Sequence, residues 1–135
     1  MVIHGFIEDL DSLLSTMTLS VAPLRFGAGM KGKIVSAMRA GLPVVCTSIG
    51  SEGMQLDDRN HAYIADDAAS FADAVLEILR SQAIWEHLRQ AGIDLCSERW
   101  GKQASINGMR QILAGIGLAT AAQHGPESLR LYPFD

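Results

Sequence analysis

The sequence predicts an α/β fold in which helices cover a mostly parallel sheet in three layers. Short apolar runs rich in Val, Ile and Thr alternate with longer segments whose apolar residues recur at helical spacing. A glycine-rich turn, Gly27–Lys33, joins one of these runs to a helix. With 135 residues, of which 48% are hydrophobic, the chain is long enough to form one domain with its own core.

The first half of the chain predicts about four strands with helices between them. The strands are Val2–Phe6, Thr18–Pro23, Leu42–Ser48 and His61–Ala65. Helices are expected at Ile7–Met17, where acidic residues occupy the first turn, and at Met30–Ala40, which ends at Gly41. We expect Ile49–Arg59 to be a loop region. Strands separated by helices favour parallel pairing, because a parallel crossover needs a connection of this length.

Helices alone are predicted after the last strand. They cover Ala68–Arg80, Gln82–Cys96 and Trp100–Leu113, each with apolar residues three or four positions apart. The remaining tail weakens into small residues and a Gly-Pro pair. We therefore assign residues 1–115 to one partial domain and residues 116–135 to a C-terminal extension that is partly ordered.

The composition argues against several classes of partner. The chain has 11 Lys and Arg against 15 Asp and Glu, a net charge of -4, and lacks the basic stripe of a nucleic-acid surface. Cys46 and Cys96 have no metal or redox spacing, and no metal site is expected. The sequence shows no signal segment and no apolar run that would span a bilayer. A cytoplasmic protein is therefore predicted.

The glycine-rich turn predicts an anion site. Gly27 and Gly29 allow backbone conformations that other residues avoid, and they permit close approach to a ligand. The first amides of the following helix have no intrahelical acceptor. Lys31 and Lys33 face the positive end of the helix dipole, an unfavourable arrangement that a bound anion would reverse. We expect a phosphate or diphosphate to bind here.

Two common phosphate-binding motifs fit this turn poorly. Gly27–Gly32 matches G-x-G-x-x-G, but Ser48 and Ile49 follow the next strand where a dinucleotide site needs an acidic residue. NAD-type binding is therefore a remote alternative. The run from Gly27 to Lys33 also resembles a P-loop, but Ile34 replaces the Ser or Thr whose hydroxyl binds magnesium.

Four motifs in a fixed order resemble a known family. They are Gly5–Leu10 (GFIEDL), Val21–Lys33 (VAPLRFGAGMKGK), Ala37–Val45 (AMRAGLPVV) and Thr47–Gly53 (TSIGSEG). Together they resemble the carboxy-terminal, donor-binding half of GT-B glycosyltransferases, and more narrowly the group 1 sugar transferases. The resemblance covers roughly residues 2–113. It implies a Rossmann-like domain that is incomplete at its N-terminal end.

The resemblance implies a site for a nucleotide-diphospho-sugar, the donor substrate of a retaining transfer to a glycan, lipid or small-molecule acceptor. The glycine turn and the helix amides would hold the diphosphate, and no cofactor or obligatory metal is implied. The residues implied at the site are Arg25, Gly27, Ala28, Gly29, Met30, Lys31, Lys33, Ser36, Ser48, Ile49, Gly50 and Glu52. No catalytic residue is identified.

The chain departs from the family pattern in two ways. Relatives commonly carry two glutamates, which map onto Ala28 and Ser36; the second would grip the ribose. The acceptor-binding N-terminal domain and the first strands of the donor domain have no counterpart here. We therefore expect little turnover by the isolated chain and self-association through an unpaired sheet edge. The alternative is a non-catalytic remnant or self-associating module; a full-length enzyme would be cytoplasmic or peripheral to a membrane.

Overall fold

The computed structural model describes residues 2–115, and the predicted C-terminal extension lies outside them. The described residues form six helices and three strands. In chain order these are α1 (Leu10–Ser15), β1 (Ser20–Ala22), α2 (Gly32–Arg39), β2 (Val44–Cys46), α3 (Ser48–Ser51), β3 (Tyr63–Ile64), α4 (Ala68–Arg80), α5 (Gln82–Trp100) and α6 (Lys102–Gly115). The predicted α/β class is confirmed.

The three strands form one parallel sheet in the order β1-β2-β3. Val21 is the register partner of Val45, which in turn is the partner of Tyr63. Since β2 lies in the middle, all three of its residues are fully buried. A continuous apolar run without alternation is typical of a parallel strand that is covered on both faces.

The two faces of β2 contribute to two separate core clusters, so helices cover both sides of the sheet. One face supplies Val44 and Cys46 to a cluster completed mainly by α2 and the C-terminal half of α5. Its other members include Ile34, Ala37, Met38, Leu95 and Cys96. The opposite face supplies Val45 to a cluster with Tyr63, Ala74, Ile78 and Leu88, from β3, α4 and α5. This is the predicted three-layer arrangement.

The predicted first strand does not form. Val2–Phe6 has no regular structure and is exposed, with Phe6 97% accessible. An extended segment needs a neighbour to satisfy its backbone, and a lone strand buries too little to offset the entropy of ordering. β1 consequently has no partner on its outer side among the described residues, and Val21 is 50% exposed. Three of the four predicted strands form, and the prediction of a strand at Val2–Phe6 was wrong.

Local hydrogen bonds explain the other differences in element bounds. The first helix is shorter than predicted because the Asp9 side chain caps it, accepting hydrogen bonds from the backbone N–H and the hydroxyl of Ser12 at 3.0 and 2.6 Å. α3 occupies part of the predicted loop, because Thr47 caps it and accepts from the Gly50 N–H at 3.2 Å. α4 has the predicted bounds, since Asp67 caps its first turn.

Candidate functional site

The carboxyl ends of the three strands meet at one edge of the sheet, and the predicted site residues lie along this edge. β1 continues into the glycine turn, β2 into Thr47 and α3, and β3 into Asp66 and Asp67. Ligands of open parallel sheets bind outside the carboxyl ends of the strands. The geometry of these three connections therefore decides what the edge can bind.

The glycine turn has the left-handed backbone that the sequence predicts. Gly27 has φ +134° and Gly29 has φ +73°, both in the region that side chains disfavour. Ala28 and Met30 are exposed between and after them. No heavy atom lies within 4 Å of where a Cβ of Gly29 would be. At Gly29 the chain therefore leaves open space beside the backbone.

The two lysines of this segment have different surroundings. The Lys31 side chain folds back under the turn, where its ammonium Nζ donates to the carbonyl oxygen of Gly29 at 2.7 Å. Lys31 is 8% exposed, and a Cβ on Gly27 would lie 3.7 Å from its Cε. Lys33 is exposed in the first turn of α2. Lys31 therefore braces the turn, and Lys33 is the lysine available to a ligand.

The N-terminus of α2 has free backbone donors. Lys31 is the N-cap residue and makes no side-chain capping bond. The amides of Ile34 and Val35 donate to the carbonyl oxygen of Lys31. The amides of Gly32 and Lys33 have no acceptor among residues 2–115. Two amides without a protein acceptor therefore lie at the positive end of a helix whose first turn also carries the exposed Lys33, which is an arrangement suited to an anion.

The connection after β2 is bonded internally. The Thr47 hydroxyl donates to the carbonyl oxygen of Leu24 at 2.7 Å and accepts from Gly50. The backbone N–H and the hydroxyl of Ser48 both donate to one carboxylate oxygen of Asp66, at 2.8 and 2.9 Å. These bonds join the loops that follow all three strands. Ser48, predicted to line the donor pocket, thus holds the edge together.

The remaining predicted site residues lie in mixed surroundings. Gly50 is packed into the core, where a Cβ would lie 3.0 Å from the Cβ of Cys46. This packing explains the glycine without a ligand. Ile49 is half-buried, and Glu52 is exposed at the C-cap of α3. Ser36 is half-buried on α2, one turn after Gly32.

A cavity of about 330 Å³ opens at the same edge of the sheet. Its lining comes from the ends of all three strands and the first turn of α4, namely Pro23, Arg25, Thr47, Asp66, Asp67, Ala68, Phe71 and Ala72. The volume is at the lower end of the range for small-molecule sites. Arg25 lines this cavity and precedes the glycine turn by two positions.

Of the eight residues that line this cavity, only Arg25 was among the predicted site residues, and the missed ones include Asp66, Asp67 and Phe71. The signal was present, because two acidic residues directly follow the last short strand and therefore lie at the carboxyl edge. Hydrogen bonds from Ser70 and Ala69 lower the pKa of Asp67, whose carboxylate caps α4. Asp67 therefore has a structural role, whereas Asp66 keeps one carboxylate oxygen without a hydrogen-bond partner among the described residues.

The surroundings of Cys46, which lies beneath this edge, keep its thiol protonated. Burial raises the pKa of the Cys46 thiol to about 11, and the nearby carboxylates of Asp58 and Asp66 act in the same direction. At neutral pH such a thiol stays protonated, whereas the thiolate is the form that acts as a nucleophile. Between residues 2 and 115, no group of three or more His, Cys, Asp or Glu side chains is placed to hold a metal ion.

The fold is a Rossmann-like domain with a left-handed glycine turn before α2. The comparisons give its family. The chain matches the family model described as Glycosyl transferases group 1 over residues 1–81. The match covers more than half of the 135 residues. The chain therefore belongs to the group 1 glycosyltransferases.

Among the known proteins that are similar to this chain, two are described here. An uncharacterized 44.6 kDa protein in the cps region of Klebsiella pneumoniae is 36% identical over 69 residues, which are 51% of this chain and 18% of that protein. The chain thus spans less than a fifth of that relative. The crystal structure of the C-terminal domain of a glycosyl transferase group 1 family protein from Francisella tularensis matches with a TM-score of 0.64 and 21% identity.

That structural match covers 74% of this chain and 53% of the Francisella chain. At this identity it supports the fold, and it confirms the predicted likeness to a GT-B C-terminal domain. No helix within the described range is long and apolar enough to cross a membrane.

Proposed function

We propose that this chain is the donor-binding part of a retaining glycosyltransferase and that it binds a nucleotide-diphospho-sugar. The observation that carries the proposal is the pair of amides without a protein acceptor, Gly32 and Lys33, at the N-terminus of α2 directly after a left-handed glycine turn, with Lys33 itself exposed in the same turn of helix. Family membership supports glycosyl transfer as the reaction. The retaining stereochemistry and the nucleotide-sugar donor come from the resemblance in sequence.

The residues divide the binding work between them. The amides of Gly32 and Lys33 would donate to diphosphate oxygens, and the Lys33 ammonium would add a charge-assisted bond. Arg25, exposed at the turn, would neutralise the far side of the diphosphate. Lys31 would act indirectly, because its hydrogen bond to the Gly29 carbonyl oxygen would hold Gly29 in its left-handed conformation. In catalysis the same donors would stabilise the charge that develops on the leaving nucleotide diphosphate. We expect no obligatory metal or other cofactor.

We propose that the acceptor binds to a separate, N-terminal domain. The Klebsiella relative is much longer than the matched segment. An N-terminal acceptor domain is therefore part of the proposal, and the isolated chain should bind its donor without measurable turnover.

A titration of the 135-residue chain with UDP, GDP and ADP, followed by backbone amide NMR, tests this function. We expect saturable shifts confined to residues 25–37 and a loss of affinity of at least tenfold in Lys33→Ala, since a charge-assisted bond contributes about 1.5–3 kcal/mol. Lys102→Ala is the matched control, because it removes the same charge from α6. A folded spectrum that ignores all three nucleotides would refute donor binding.

The open outer side of β1 favours a second candidate, a self-associating module without catalysis. Val21 is half exposed on a strand that has no outer neighbour among the described residues, and such edges pair readily. Ser36, where relatives carry a carboxylate, also favours this candidate. Sedimentation of the NMR sample separates the two functions: a dimer that binds no nucleotide supports the module, and a monomer that binds one rejects it.

A further inference from the structure

A second cavity lies between the end of α2, the C-terminal part of α5 and the start of α6, and its volume is about 340 Å³. Its lining residues are Val35, Arg39, Ile93, Cys96, Ser97, Trp100, Gly101 and Lys102. Arg39 is the last residue of α2 and follows Gly32 by seven positions, which is about 10 Å along a helix. No lining residue belongs to the proposed donor site. The cavity is therefore a site of its own.

The cavity forms where the helical run breaks between α5 and α6. Gly101 ends α5 with an extended backbone, φ −71° and ψ 161°. A Cβ at this position would overlap the carbonyl oxygen of Ser97, so the break requires glycine. Trp100, the last residue of α5, packs against the core cluster of α2 and α5 and also lines the cavity. Because Trp100 is only half-buried, part of its indole ring is available to a ligand.

The floor of the cavity is apolar. Val35, Ile93 and Trp100 are half-buried, and Cys96 is buried. The Cys96 thiol donates to the carbonyl oxygen of Val35 at 3.8 Å, so this weak donor has a partner. Burial raises the pKa of Cys96, and the positive charge of Arg39 partly opposes that effect. The Arg39 guanidinium therefore lies near an apolar, uncharged floor.

Two cations stand at the rim of the cavity. Arg39 and Lys102 are both exposed, and neither side chain forms an ion pair or hydrogen bond within residues 2–115. None of the eight lining residues is acidic, although the chain has a net charge of -4. Three other cavities of the described residues each include at least one aspartate. Two charges of the same sign on one cavity favour an anion.

We propose that this cavity binds a small aromatic carboxylate, with its ring against Trp100 and its carboxylate on Arg39 and Lys102. The fork of an arginine matches the two oxygens of a carboxylate. A partly buried indole face favours a planar body, and the volume is near the lower end of the range for small-molecule sites. The ligand class is therefore one ring or two fused rings with a single carboxylate. This inference is independent of the proposed function.

Titration of the 135-residue chain with 1-naphthoate tests the inference, with 1-naphthamide as the uncharged probe of the same shape. The readout is the NMR signal of each indole N–H, of which the chain has two. The Trp100 signal should move in a saturable way. The Trp85 signal is the internal reference and should not move, because its indole N–H donates to the carbonyl oxygen of Thr18 at 2.7 Å in the opposite core cluster. It also reports that each variant is folded.

The ratio of the two probe affinities measures the contribution of charge. We expect the native chain to prefer the carboxylate by about threefold to tenfold, the range for two exposed charge-assisted contacts. Arg39→Gln and Lys102→Gln should each lower this ratio, and the double variant should bring it towards one. Arg80→Gln is the matched control, since it removes an exposed arginine from the last turn of α4, outside this cavity.

Three results would overturn the inference. The first is a Trp100 signal that ignores both probes, and the second is a native chain that binds the two probes equally. The third is a Trp100 signal that moves with protein concentration alone, because a second copy of the chain would then occupy the cavity. None of these results affects donor binding, which is followed by the amide signals of residues 25–37.

Discussion

The segments that follow β1 and β2 leave the same edge of the sheet, but they use their hydrogen-bonding groups in opposite ways. After β1 the chain turns through Gly27 and Gly29, remains exposed, and enters α2 with two amides unbonded within the described residues. After β2 the chain enters α3 at once, and the side chains of Thr47 and Ser48 bond other parts of the protein.

The segment after β1 thus has groups available to a ligand, whereas the segment after β2 uses its groups to hold the structure together. We call the segment after β1, together with α2, the open side, and the segment after β2, together with α3, the supporting side. Exposed donors at a helix N-terminus are bonded to water in the free protein, and an anionic ligand can replace that water. The bonds after β2 hold the loops in place, since Thr47 reaches back to Leu24 and Ser48 reaches across to Asp66. Rigid support beside an open donor set reduces the entropy lost when a ligand binds. The predictions below test each side of this comparison.

Restoring a carboxylate at Ser36 should have the largest effect on the open side. In Ser36→Glu a ribose held over α2 would gain charge-assisted hydrogen bonds, which contribute about 1.5–3 kcal/mol. We expect the affinity for the best nucleoside diphosphate to rise by about one to two decades in isothermal titration.

Ser36→Gln is the control, because glutamine has the same length as glutamate and no charge. It should gain much less than Ser36→Glu. Equal gains in the two variants would show that contact area accounts for the effect, and a loss in Ser36→Glu would place the ribose away from α2.

Gly50 tests the supporting side. In Gly50→Ala the new Cβ would lie 3.0 Å from Cys46 Cβ and 3.4 Å from the carbonyl oxygen of Ala22. Overpacking of this kind costs about 1–3 kcal/mol. We expect a lower urea midpoint with an unchanged slope.

Gly32→Ala is the matched substitution on the open side. It also changes a helical glycine, but a Cβ there would meet nothing within 4 Å. It should stabilise the chain by less than the roughly 1 kcal/mol that alanine gains over glycine in a helix interior, because Gly32 is the first residue of α2. If both glycines tolerated alanine equally well, Gly50 would have no packing role.

The open side could be predicted from the sequence far better than the supporting side. The left-handed turn at Gly27 and Gly29 follows from local residue types, and so does the start of α4 after Asp67. The bond between Ser48 and Asp66 joins residues 18 positions apart, which no local pattern reveals. The packing of Gly50 against Cys46 likewise depends on tertiary contact.

The N-terminal segment shows the same limit of local patterns. Val2–Phe6 has the composition of a strand, but strand formation requires a neighbour with free backbone groups. The strands actually formed are those whose partners lie within the described residues. The sequence also did not predict that Lys33 is exposed and Lys31 is buried. Two lysines that lie two positions apart at the start of a helix look equivalent in sequence.

The last expected effect is an alkaline loss of stability that reports on Cys46 under the supporting side. Burial raises the pKa of this thiol from 9.0 to about 11 in the folded protein. Between those values the unfolded chain loses a proton that the folded chain keeps, so the stability present below pH 9 falls as the pH rises. The slope is at most about 1.4 kcal/mol per pH unit.

Urea midpoints between pH 8 and 10.5 measure this slope, and Cys46→Ala removes the contribution of Cys46. The variant should lose less stability over that range than the native chain. Burial also raises the pKa values of Cys96 and Tyr63. Some alkaline loss should therefore persist in Cys46→Ala. Identical slopes in the two proteins would mean that the Cys46 thiol titrates normally, and that water reaches the carboxyl edge beneath α3.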